Sequence, residues 1–171
     1  PIPSFVVAAI AGMVAGVVTA LLHTKMKIPA LLAGILTMIA LYSVNLRVMG
    51  KANLSLLGTD TTFSIIRKML SLNSAYTTLV VGLLATVLVA VFIYWFFGTE
   101  IGMSVRATGI NPNMARAQGI NTNAMIILGL GLANALISLS GSMFAQTQGN
   151  ANNQMGVGVL VIGLASIIIG E

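Results

Sequence analysis

The sequence predicts an all-α integral membrane protein: a polytopic bundle of transmembrane helices with one short helix in a loop. Three observations carry that prediction. Mean hydropathy is +1.01. Only 6% of residues are charged, against about 25% in an average soluble domain. Residues 117–170 contain no Asp, Glu, Lys or Arg at all.

The spans follow in order. A membrane-crossing helix needs about 20 apolar residues, and five stretches qualify in whole or part, at about 2–22, 28–44, 75–97, 124–145 and 157–171. The first ends in the basic turn His23, Thr24, Lys25, Met26, Lys27. Pro29 opens the second, because a first-turn proline loses no hydrogen bond. The third closes on Tyr94, Trp95 and Phe96, an aromatic cluster suited to the membrane interface. The fifth runs to Glu171. The chain starts at Pro1 and stops directly after an apolar run, as expected of a piece of a longer polytopic protein. The whole is read as one transmembrane domain over 1–171.

Composition excludes much chemistry. There is no Cys, one His and three acids, Asp60, Glu100 and Glu171. That supply suits neither a thiolate or metal site nor acid–base catalysis, so no catalytic residue, metal or cofactor is expected. No phosphate-loop pattern is present, so the chain is not expected to bind ATP. The net charge of +5 comes from Lys and Arg scattered over loops, which fits a membrane protein and not a nucleic-acid binder.

Two loops are long. Residues 45–74 are expected to hold a short interfacial helix at 63–72, with Arg67 and Lys68 on its polar face. Residues 98–123 carry stronger signals. Asn111 suits an N-cap, Pro112 the first helical position, and Gly119 a left-handed terminus. Together they specify a helix of about two turns at 112–118, set between turn glycines Gly109 and Gly119. Glu100 and Arg106 are expected to pair across the preceding turns.

Within the spans, Gly12 and Gly16 form a GxxxG, a spacing that lets helix backbones approach closely. Asn134, Ser138 and Ser142 recur every four residues and share one helix face. Such a face either hydrogen-bonds between helices or lines a solute path; Thr37 is a weaker member of the same class.

The run Arg106-Ala107-Thr108-Gly109-Ile110-Asn111-Pro112-Asn113-Met114-Ala115-Arg116-Ala117-Gln118-Gly119-Ile120-Asn121 resembles the cytoplasmic loop of ABC-importer permeases of the branched-chain amino acid and ribose permease family. It departs from that pattern at Arg116. The N-terminal half, including 45–50 and 53–58, resembles the tryptophan/tyrosine-type uptake permeases within it. The resemblance implies a permease that pairs with a second copy in a bacterial plasma membrane. It further implies a separate ATP-binding subunit, an extracytoplasmic solute-binding protein, and surrounding lipid. On that basis 112–118 is the coupling helix, with Arg106, Thr108 and Gly109 leading into it. Met114, Ala115 and Ala117 would fill a groove on the ATPase, and Arg116 would meet its acidic rim. The resemblance places this loop in the cytoplasm. Charge counting points the other way, because Arg47, Lys51, Arg67 and Lys68 weight the opposite loop. The implied solute is small, an amino acid of aromatic or branched-chain type. An ion-coupled transporter is the alternative, but it usually carries intramembrane charges, and the first four spans have none. A membrane scaffold is a further alternative.

Overall fold

The computed structural model describes residues 2–51, 53–55, 74–152 and 157–170. The expected helix at 63–72 and Glu171 lie outside the described residues. Seven helices and one two-stranded ribbon are seen among them: α1 Ile2–Thr24, α2 Ala30–Met49, β1 Asn53–Ser55, α3 Ser74–Phe97, α4 Glu100–Ile110, α5 Pro112–Ala117, α6 Thr122–Gln148, β2 Asn150–Asn152 and α7 Val157–Gly170. Four of these, α1, α2, α3 and α6, are long and apolar enough to cross a membrane. Helix α7 has fourteen described residues.

Helix α1 lies antiparallel along α6, and glycines make the contact. Gly12 faces Asn134 and Ser138, and Gly16 faces Leu130, Gly131 and Asn134. A Cβ at either glycine would come within 2.5 Å of a backbone carbonyl oxygen of α6, that of Asn134 or of Leu130. Side-chain removal is what brings the two backbones this close, which replaces the hydrophobic drive that is missing between helices in lipid. Ser138 donates from Oγ to the Ala8 carbonyl across the seam at 2.6 Å. Near its end, Gln146 Nε2 donates to Ser4 Oγ at 3.2 Å.

Helix α2 packs on α1, and Ala33 on it is fully buried. Thr37 is buried here, with Thr19 Oγ1 at 3.0 Å from its hydroxyl oxygen. Thr37 itself donates to the Ala33 carbonyl at 2.9 Å. The turn between α1 and α2 is tight. Lys27 takes a left-handed φ of 57°, and His23 Nδ1 lies 2.8 Å from the Ile28 carbonyl oxygen. Pro29 is the N-cap of α2, one residue ahead of its first turn.

Helix α2 continues through Asn45 and Arg47, beyond the expected boundary at 44, until Gly50 ends it at φ 64°. Helix α6 likewise exceeds its expected bounds at both ends. In the segment after it, β2 pairs antiparallel with β1, Leu54 opposite Ala151. The ribbon brings the α2–α3 and α6–α7 connections to one end of the bundle. Lys25, Lys27, Arg106 and Arg116 therefore share the other end.

Candidate functional site

The loop between α3 and α6 is built by four successive local signals. Thr99 caps α4, its hydroxyl accepting from the Gly102 amide at 3.2 Å. Glu100 sits in the first turn of α4, where a carboxylate complements the helix dipole. Gly102 is buried against the backbone of Phe96 and Phe97, so α4 folds back tightly on the end of α3. Asn111 then does two jobs in extended backbone at φ −149°. Its amide closes α4 on the Ala107 carbonyl at 3.0 Å. Its side chain opens α5, accepting from the amides of Asn113 and Met114, both at 3.1 Å.

Pro112 is the first residue of α5. At its other end Gly119 adopts φ +81°. The Ile120 amide donates to the Ala115 carbonyl at 3.1 Å and the Gly119 amide to the Arg116 carbonyl at 2.9 Å. That paired arrangement is the Schellman motif, which satisfies carbonyls a short helix would otherwise leave open. Asn121 caps α6 by accepting from the Ala124 amide at 3.2 Å. A six-residue helix is not stable alone; here both ends are held and it leans on α4 and α6.

Several expected residues take different places. Gly109 is no turn residue: it lies within α4, and the chain breaks at Asn111 because the following proline disfavours helical backbone before it. Ala115 is 3% exposed, so it packs within its own chain and is not offered to a partner. Arg116 is exposed, and its Nε donates to Thr122 Oγ1 at 2.8 Å, tying α5 to the buried start of α6. Glu100 and Arg106, six residues apart on one continuous helix, lie about 120° apart around its axis and do not face each other. Thr108 is buried and donates to the Ser104 carbonyl at 2.8 Å. What this surface does expose is apolar: Met114 at 60% and Ile110 at 79%, with Arg106, Asn113 and Ala117 beside them. The 11-residue helix α4 was legible only through Thr99 and Glu100 as a cap and first-turn acid.

Of the two roles open to the polar face of α6, packing between helices is the one seen for Asn134 and Ser138. Asn134 and Ser138 face α1, as described above. Asn134 Nδ2 donates to the Leu130 carbonyl of its own helix at 2.9 Å. Ser142 donates to the Leu139 carbonyl at 2.8 Å. Thr37 is enclosed between α1 and α2. The opposite side of α6 instead borders an open cleft of about 430 Å³ against α3. Thr78, Gly82, Ala85, Thr86 and Val89 line it from α3, and Leu136, Leu139, Ser140, Met143, Phe144 and Thr147 from α6.

All 171 residues match the family described as the permease component of branched-chain amino acid transport systems. The chain belongs to that family. Its permease relatives include the tyrosine transport system permease protein of Clostridioides difficile, 40% identical over 99% of this chain and 55% of the relative. An uncharacterised protein of Rickettsia prowazekii is 34% identical over 98% of the chain and 58% of its own length. The autoinducer 2 import system permease protein LsrC of Yersinia pseudotuberculosis is 29% identical over 95% and 45% respectively. The chain thus spans about half the length of the curated relatives it matches. No solved structure matches it. With the family and four spanning-length helices together, this permease is a multi-pass protein of the bacterial inner membrane.

Proposed function

We propose that this chain is the membrane subunit of an ATP-driven ABC importer, that α5 docks on a separate ATP-binding subunit, and that the solute is an amino acid. The observation that carries the reading is α5 itself, a short helix capped at both ends that holds exposed Met114 next to exposed Ile110. A rigid apolar knob is what a partner's groove needs. Full burial of a Met or Ile side chain contributes roughly 1.5–3 kcal/mol. Closure of the ATPase would then pull on a rod fixed to α4 by the Asn111 caps and to α6 by Arg116 and Thr122. A solute-binding protein at the ribbon end and a second permease copy complete the assembly. The loop end carrying Lys25, Lys27, Arg106 and Arg116 is the cytoplasmic one. The C. difficile relative's name supports tyrosine or a related amino acid; the Yersinia relative's name keeps autoinducer 2 as the other solute to test.

The test is co-purification of the full-length permease with its ATP-binding subunit. Met114→Glu is the informative change, because Ala115 is buried in its own chain. Wild type is expected to retain the ATPase and Met114→Glu to lose it while eluting as a monodisperse membrane protein. Equal retention by both would remove α5 as the docking element.

A further inference from the structure

We propose that the β1–β2 ribbon is a strap that opens and closes one end of the bundle during transport. Closed, it ties the end of α2 to the end of α6; open, it frees α2 to swing. The proposal rests on the importer reading and adds a moving part to its extracytoplasmic end.

Connectivity makes the ribbon a bridge. Helices α2 and α6 each pack on α1. Strand β1 follows α2 and β2 follows α6, so the pairing of Leu54 with Ala151 joins the two helix ends directly. The two helices are held along their lengths to different degrees. Helix α6 is fixed to α1 by the Gly12 and Gly16 contacts, by Ser138 and, next to the ribbon, by Gln146. Among the described residues, α2 is fixed near its start. Ala33 and Thr37 are its buried residues, Thr37 meets Thr19, and His23 meets the Ile28 carbonyl in the turn before it. From Leu41 to Val48 every residue is exposed, Val48 to 81%. A gap of about 390 Å³ runs between α1 and α2, bordered by Val14, Val18, Leu36, Ala40 and Val44. Helix α2 is therefore a lever with its pivot near Thr37, and the ribbon holds its far end.

The ribbon is built to release. Two strands alone are marginally stable in water. Here they make three residue pairs, Asn53 with Asn152, Leu54 with Ala151 and Ser55 with Asn150. Alternation puts Asn53, Ser55, Asn150 and Asn152 on one face. Water can satisfy those amides and that hydroxyl when the strands part, so opening leaves no polar group unpaired. Each strand leaves its helix through a left-handed glycine, Gly50 at φ 64° and Gly149 at φ 67°. Residues at element ends absorb the backbone rotation of a hinge, and glycine does so at positive φ without a Cβ clash. Helix α6 also reaches the opposite end of the bundle, where Asn121 caps it and Arg116 of α5 holds Thr122. At 1.5 Å per residue, its 27 residues span about 40 Å. One continuous helix thus joins α5 to β2, so a pull on α5 reaches the strap.

The experiment uses the chain's lack of cysteine. Directly opposed Cα atoms in an antiparallel pair lie about 4.5–5.5 Å apart, within the roughly 4.4–6.8 Å that a disulfide spans. The full-length permease, cysteine-free throughout, is reconstituted in proteoliposomes with its ATPase and binding protein. ATP-dependent uptake of radiolabelled L-tyrosine is measured for this parent, for Leu54→Cys, for Ala151→Cys and for the double variant. Oxidation should crosslink the double variant and cut its uptake about tenfold or more, since a lid held shut stops turnover. Dithiothreitol should restore it, and the single variants, oxidised alike, should keep uptake. Separately, nitroxides attached at Val48→Cys and Gln148→Cys report the distance between the ends of α2 and α6 by pulsed electron paramagnetic resonance. That distance should differ between the nucleotide-free and the ATP-bound complex. Crosslinking with full uptake would show a ribbon that stays shut. A distance unchanged by ATP would show a lever that does not move. Failure to crosslink would show strands that are not paired in the membrane. Each of those three outcomes overturns the proposal. Absence of uptake by the cysteine-free parent would count against the importer or its solute, and the nitroxide distances would then decide the strap alone.

Discussion

The two sides of α6 carry similar residues and do opposite things. One side has Gly131, Asn134 and Ser138; the other has Ser140, Met143 and Thr147. The first is pressed against the glycines of α1, and its serine is spent on a carbonyl of that helix. The second faces an open cleft, and its Ser140 makes no hydrogen bond among the described residues. A polar residue in a membrane helix therefore does not announce its role by type. What decides is whether the facing helix is small enough to close on it. Glycines of α1 bring the backbones of α1 and α6 together.

The sharpest way to break this contrast is through glycine. Gly16→Val should lower stability by up to about 3 kcal/mol, because the new side chain meets a backbone carbonyl that has no rotamer to give; thermal unfolding in detergent reads it. Gly82→Val, with open space around it, should leave the unfolding temperature almost unchanged. Equal destabilisation by the two would mean that α3 and α6 close together in the membrane.

The same contrast between buried and exposed neighbours recurs in α5. Ala115→Glu forces a carboxylate into a packed position and should cost a few kcal/mol, seen as faster amide exchange across α5 and the start of α6. Met114→Glu, at a 60% exposed position, should change stability by no more than about 0.5 kcal/mol and act only on ATPase binding. Asn111→Ala removes the acceptor for two amides and should weaken the loop by about 1 kcal/mol. It should raise exchange at Asn113 and Met114 first.

The smallest effect returns to α6. Ser138→Ala deletes one interhelical hydrogen bond, worth about 0.6 kcal/mol on average in membrane helices. Ser140→Ala deletes none among the described residues and should leave stability untouched. A larger stability loss at Ser140 than at Ser138 would reverse the assignment of the two faces.

By itself the sequence determined the elements that depend on local chemistry. Apolar runs of sufficient length declare spanning helices, because lipid tolerates little else. Asn111, Pro112 and Gly119 declare the ends of α5, because caps act within a few residues. Signals are weaker where a helix is half polar, so α4 shows in the sequence only through Thr99 and Glu100, and Gly109 reads as a turn glycine. Only the tertiary structure decided which surfaces are used. That Ala115 points inward, that Arg116 binds Thr122, and that Asn134 faces α1 all depend on residues distant in the chain or on the angle between helices. The β1–β2 ribbon joins segments roughly a hundred residues apart, and neither strand is long or apolar enough to be seen alone. Helical periodicity states which residues share a face; it does not state what that face meets.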